Sequence, residues 1–236
     1  MEYFKTITFF SFSLPLLTYL LSRKHDKYGL ARVIFILITY SCLNEAVVAY
    51  FRYNGTFSKF PKLAVLLYSF FTIAEFSFLA YYLLKSFHNK KLKRFLKISA
   101  CIFFLVALGN IYVAVFRDQT AEIDVIPIAS SAIILIVFSI LLLYEEIQNP
   151  RIQFVYFKPS FWIVVGIMIY FSGTFFLFLQ LSALSDIDRK NYWAINLICI
   201  ILKNIFFAIS FLVPGNEENT NELEPDYPFQ DMEELK

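Results

Sequence analysis

Seven separate blocks of eighteen to twenty-four mostly apolar residues succeed one another along this chain of 236 residues, at 4–21, 30–51, 63–84, 95–116, 123–144, 160–183 and 192–213. Each is long enough to cross a bilayer core of about 30 Å as an α-helix rising 1.5 Å per residue. Their apolar residues are continuous and leave no wet face, unlike the one-sided stripes of a soluble helix. Within hydrocarbon the backbone must satisfy its own hydrogen bonds, which helices do and open strands do not. The pattern therefore predicts an all-α, polytopic transmembrane bundle of about seven helices. Only 17% of the residues are charged and 58% are hydrophobic, whereas a soluble domain carries about 25% charged.

The first block resembles a signal peptide in length, but it lacks a small-residue cleavage site and runs into Ser22-Arg23-Lys24-His25-Asp26-Lys27. It is read as the first span. Turn chemistry marks the breaks at Asn54-Gly55, Asn149-Pro150, Lys158-Pro159 and Val213-Pro214-Gly215. The connections are short and no internal repeat is visible. Residues 1–213 form the transmembrane domain, and residues 214–236 form an acidic tail with the composition of a disordered segment.

The formal net charge of +2 hides an asymmetry, because that tail holds eight acidic residues against one lysine. Lysine and arginine number twelve on one side before the tail (Arg23, Lys24, Lys27, Arg32, Lys85, Lys90, Lys91, Lys93, Arg94, Lys97, Arg151, Lys158) and seven on the other. The positive-inside rule places the amino terminus outside and the tail in the cytoplasm. These basic residues sit in short loops beside apolar blocks, so they signal topology and not nucleic acid. The run Lys90-Lys91-Leu92-Lys93-Arg94 is read the same way, with anionic lipid as a secondary role. Cys42, Cys101 and Cys199 lie inside apolar blocks and are read as packing residues. His25 and His88 lack partners at ligand spacing, so no metal site and no cofactor is assigned. Neither Gly-x-Ser-x-Gly nor His-Glu-x-x-His occurs, and no histidine lies at membrane depth. The chain reads as non-enzymatic.

Charges at membrane depth are costly and mark candidate sites. Three stand out: Glu45 in the second span, Glu75 in the third and Lys203 in the seventh. Asn44 precedes Glu45, Thr72 shares the stripe of Glu75, and Asn196 lies seven residues before Lys203 on the same face. Asn110, Ser130, Ser131, Gln180 and Asn196 fall in the outward halves of their spans, with Lys203 and Asn204 near the midplane. This distribution predicts a polar cavity opening outward and floored by an ion pair. A midplane lysine cannot snorkel to either surface, so it pairs with Glu75 or Glu45. That pair either locks the bundle or holds a ligand or proton; two carboxylates against one lysine leave a negative charge to be balanced. Gly166 and Gly173 predict close helix packing. Trp162 and Trp193 are read as interface anchors, and Asn54-Gly55-Thr56 is a weak glycosylation sequon.

Pro159-Ser160-Phe161-Trp162-Ile163, Gly166, Tyr170-Phe171-Ser172-Gly173 and Phe175 to Phe178 resemble the sixth helix of a family of small, uncharacterised bacterial seven-helix membrane proteins. Trp193-Ala194-Ile195-Asn196 and Asn204-Ile205-Phe206-Phe207-Ala208-Ile209 resemble its seventh helix, and Glu45 and Glu75 match glutamates of its second and third. The resemblance covers nearly the whole chain and implies no catalytic residues. It implies the bacterial inner membrane and, because such proteins are often encoded beside sensor kinases, a signalling partner of that kind. The leading expectation is a membrane receptor or signalling partner. A proton- or ion-coupled transporter is the alternative, against which stand uninterrupted blocks and no repeat halves. A retinal-type photoreceptor, with Lys203 and Glu75 as Schiff base and counter-ion, is a minor one.

Overall fold

The computed structural model describes residues 2–22, 29–116, 125–148, 155–180 and 186–213. Among them every regular element is helical: α1 (Glu2–Ser11), α2 (Ser13–Ser22), α3 (Leu30–Tyr53), α4 (Thr56–Lys59), α5 (Pro61–Ser86), α6 (Lys90–Phe116), α7 (Val125–Ile147), a 3₁₀ turn (Val155–Phe157), α8 (Pro159–Gln180) and α9 (Asp186–Leu212). The tail 214–236, the loop cations Arg23, Lys24, Lys27, Arg117 and Arg151, and the Asn149-Pro150 break lie outside the described residues, as do the side chains of Lys5, Gln180, Arg189 and Lys190.

Six helices are long and apolar enough to cross a membrane: Leu30–Tyr53, Pro61–Ser86, Lys90–Ala114, Val125–Ile147, Pro159–Leu179 and Trp193–Leu212. The first apolar block is different, and here the expectation of uninterrupted blocks is corrected. It is broken at Phe12, whose N–H reaches Phe9 O at 3.3 Å instead of the carbonyl four residues back. The hydroxyls of Ser11 and Ser13 donate to Thr8 O and Phe10 O, both at 2.6 Å, and so occupy carbonyls that a continuous helix would use. Hydropathy does not register such a break, because the interrupting residues are small or apolar.

The helices antiparallel their sequence neighbours, and side-chain contacts show which ends lie together. Tyr19 of α2 touches Phe211 of α9 and stacks on Phe35 of α3. Glu145 of α7 accepts hydrogen bonds from the N–H groups of His88 and Asn89, ahead of α6, at 3.0 and 2.7 Å. Ser160 of α8 donates to Glu146 Oε1 at 2.5 Å. One end therefore gathers the last turns of α2, α5, α7 and α9 and the first turns of α3, α6 and α8. At the other end Gly55 takes a φ of 65° so that the chain can turn between α3 and α5, and Trp193 meets Phe178.

α9 packs on α8, α2 and α1, while α5 packs on α3, α4, α6 and α7. Outward faces are apolar, as lipid requires: Ile195, Ile198, Leu202 and Ile205 form an exposed stripe on α9 opposite its buried residues. The tightest approach is α8 against α9, where a Cβ on Gly173 would run into Cys199 Sγ and one on Gly166 would lie 3.1 Å from the Phe207 ring. Gly173→Val should therefore cost about 1–3 kcal/mol through overpacking, read as a lowered thermal-unfolding midpoint in detergent. Gly109→Val, built where nothing lies within 4 Å, should leave that midpoint unchanged.

Candidate functional site

Lys203 lies near the middle of the apolar stretch Trp193–Leu212 and is 4% exposed; Glu75, near the middle of α5, is 5% exposed. Their Nζ and Oε1 atoms are 2.8 Å apart. Sequence alone leaves the choice of carboxylate open, and the structure assigns Glu75. Because α5 and α9 have different principal neighbours, two long side chains bridge the space between helices that a shorter pair would leave unconnected.

Tyr170 of α8 completes the enclosure, its ring centroid 3.8 Å from Lys203 Nζ. This is a cation–π contact, worth about 2 kcal/mol when desolvated. Its placement follows from helix register. Gly166, Tyr170 and Gly173 recur at spacings of four and three, so they share one face. Opposite them in the antiparallel partner stand Phe207, Lys203 and Cys199. The two glycines draw the backbones together, and the tyrosine between them is laid over the ammonium. Thr174 donates to Tyr170 O at 2.7 Å, one turn along.

The next residue, Asn204, has no exposed surface; its Nδ2 donates to Ser11 Oγ at 2.8 Å. The broken first apolar block thus meets the buried polar residues of α9 at the interruption itself. Asn204 Oδ1, Asn196 Oδ1 and Ser41 Oγ are buried without a hydrogen-bond partner. Unsatisfied buried acceptors and hydroxyls of this kind call for water or a ligand.

The remaining predicted residues divide. Glu45 is exposed on α3, yet it interacts electrostatically with Arg52, Lys203 and Glu75. Arg52, two turns further along α3, also donates to Tyr68 OH at 3.2 Å. Glu45 forms no ion pair among the described residues, and Arg52 is a further cation in its electrostatic reach. Asn196 is buried on the Lys203 face of α9, two turns away. Asn44 is half-buried beside Glu45. Thr72 spends its hydroxyl on Tyr68 O at 3.0 Å, within its own helix. Asn110 remains on α6, whose neighbours are α5 and α7, with Nδ2 buried and unpartnered. Ser130 and Ser131 likewise bond to their own helix backbone. Sequence reasoning missed Ser11 and the role of Tyr170. The glycine spacing around Tyr170 carried the signal for the second; nothing marked the first.

No known protein family, curated protein or solved structure matches the chain.

Breaking the buried pair from one side leaves an uncompensated charge, at a cost of about 3–5 kcal/mol. Lys203→Met and Glu75→Leu should each lower the unfolding midpoint accordingly, while the double variant recovers most of the loss. A double-mutant cycle in detergent measures the coupling, and additive losses would deny the contact.

Proposed function

We propose that the chain is a non-enzymatic membrane receptor or signalling partner of the bacterial inner membrane, crossing the bilayer seven times with its amino terminus outside and its acidic tail in the cytoplasm. The observation that carries this reading is the sealed Lys203–Glu75 pair under Tyr170, with an exposed carboxylate, Glu45, in electrostatic reach. For the seventh span it relies on α1 and α2, which together run from Glu2 to Ser22 and pack on α9. For orientation it relies on the twelve-to-seven bias of basic residues.

In this reading Glu45 and Arg52 meet a small polar ligand, ion or proton that enters from outside, using the outward half of the bundle and the unpartnered atoms of Asn196 and Ser41. Neutralising or displacing Glu45 alters the field at Lys203 and hence its balance between Glu75 and Tyr170. Lys203 is followed one turn later by Phe206, which stacks on Trp162 at 5.9 Å near the opposite end of the span. Movement of α9 against α8 thus reaches the cytoplasmic face, where the resemblance points to a sensor kinase as partner. That partner, like the family, belongs to the proposal.

Transport is the second reading, favoured by the break in the first span beside Asn204, since interrupted helices commonly line ion paths. Proton and sodium flux into liposomes separates the two: equal flux through wild type, Glu75→Gln and empty liposomes is expected of a receptor.

The receptor reading is tested by intrinsic tryptophan emission and unfolding midpoint on titration with protons (pH 5 to 8), sodium, ammonium and glycine. At least one probe should shift the wild type, by about 2–4 °C at saturation for a chain of this size, and leave Glu45→Gln unmoved. Identical responses from the two proteins would remove Glu45 from any sensing role.

A further inference from the structure

The end of the bundle that gathers the start of α6 carries a second feature, one the ion pair does not use. Within its first eight residues α6 holds Lys90, Lys91, Lys93, Arg94 and Lys97, and the whole helix contains no acid. Lys90, Lys91, Arg94 and Lys97 are exposed, as is Lys85 at the end of α5, which lies over the Tyr81 ring at 5.7 Å. None of the five forms an ion pair among the described residues. The nearest acids are turned away. Glu145 gives one oxygen to the N–H groups of His88 and Asn89 and buries the other, and Glu146 pairs with Ser160 and is 7% exposed. Like charges three and four residues apart on a helix repel, so the cluster calls for an anion that the described residues do not supply.

Helix register says what kind of anion fits. Phe95, Ile98, Ile102 and Leu105 are exposed and share one face of α6, opposite the buried Leu96, Phe103 and Ala107. Lys91 and Arg94 continue that same face by one turn toward the helix start. An apolar strip facing acyl chains therefore runs directly into two cations at headgroup depth. We propose that this face is a binding site for an anionic phospholipid, with Lys91 and Arg94 holding the headgroup phosphate, Lys90, Lys97 and Lys85 flanking it, and an acyl chain lying along Ile98, Ile102 and Leu105. The acidic tail is the competing occupant on charge alone. It leaves the bundle from α9, which packs on α8, α2 and α1, whereas α6 packs on α5 and α7; the lipid is already beside α6.

The test uses the full chain in liposomes, with Ile98→Trp as reporter at the site and Ile140→Trp, exposed on α7, as reference. The emission of Trp162 and Trp193 is subtracted from the chain without the added tryptophan. Quenching by brominated phosphatidylglycerol is compared with quenching by brominated phosphatidylcholine at equal fractions. Ile98→Trp should be quenched preferentially by the anionic lipid, and Ile140→Trp equally by both. Each surface lysine or arginine contributes about a fivefold preference, so Lys91→Gln with Arg94→Gln should cut the preference by about twenty-five-fold, and 0.5 M NaCl should weaken it. Two results overturn the proposal: equal quenching of Ile98→Trp by the two lipids, or a preference that the double substitution leaves undiminished. A preference that appears only after residues 214–236 are removed also overturns it, and assigns the site to the tail.

Discussion

An ammonium and a carboxylate taken out of water together, at the depth where neither can reach a headgroup, set the terms for this bundle. Each ion left alone there would cost several kcal/mol, so the helices that carry them are not free to rotate or slide independently. Lys203 is on α9, which packs on α8, α2 and α1, and Glu75 is on α5, which packs on α3, α4, α6 and α7. The 2.8 Å contact between them thus braces two helices that share no principal neighbour. In water such a brace competes with hydration and counts for little. In hydrocarbon it has no competitor, and rotamer choices along both helices follow from it.

The geometry around the pair depends on small residues in the same way. Without Gly166 and Gly173 the α8 backbone would stand farther from α9, and the Tyr170 ring would not reach Nζ. Close packing and cation recognition are therefore one property of a single helix face, and removing either glycine disturbs both. The first apolar block contributes by the opposite means. Its break at Phe12 frees Ser11 from a purely intrahelical role, so that one hydroxyl accepts from Asn204 while donating to Thr8 O.

Much of this was legible in the sequence because lipid imposes one strong rule. Blocks of about twenty apolar residues predict seven spans, six of which the structure gives as helices long enough to cross, with ends that differ by a few residues, and a charge within such a block flags Glu75 and Lys203 at once. Gly166 and Gly173 were recognised as packing residues, although their spacing around Tyr170 was not followed to Lys203. The interruption at Phe12 was invisible, since Ser11, Phe12 and Ser13 do not depart from an apolar helical pattern. Arg52 reads from sequence as a loop cation, and its contact with Tyr68 OH follows from helical turns that hydropathy treats as the end of a span. Asn110 and Thr72 show the converse: polarity at depth marks a candidate, but only rotation about the helix axis decides whether it meets the others.

The four charged groups also differ in enclosure, two of them exposed and two buried. Arg52 and Glu45 are exposed, whereas Lys203 and Glu75 are 4% and 5% exposed. Coulomb energy between neighbours rises as the surroundings lose water, so an event at the exposed outer acid is felt most strongly where the environment is driest. A lock would need only the inner pair, and would be stronger without a neighbouring acid that draws Lys203 away from Glu75. Glu45 is in electrostatic reach of Lys203 but forms no ion pair with it among the described residues, so the contacts that hold the ammonium are Glu75 and the Tyr170 ring.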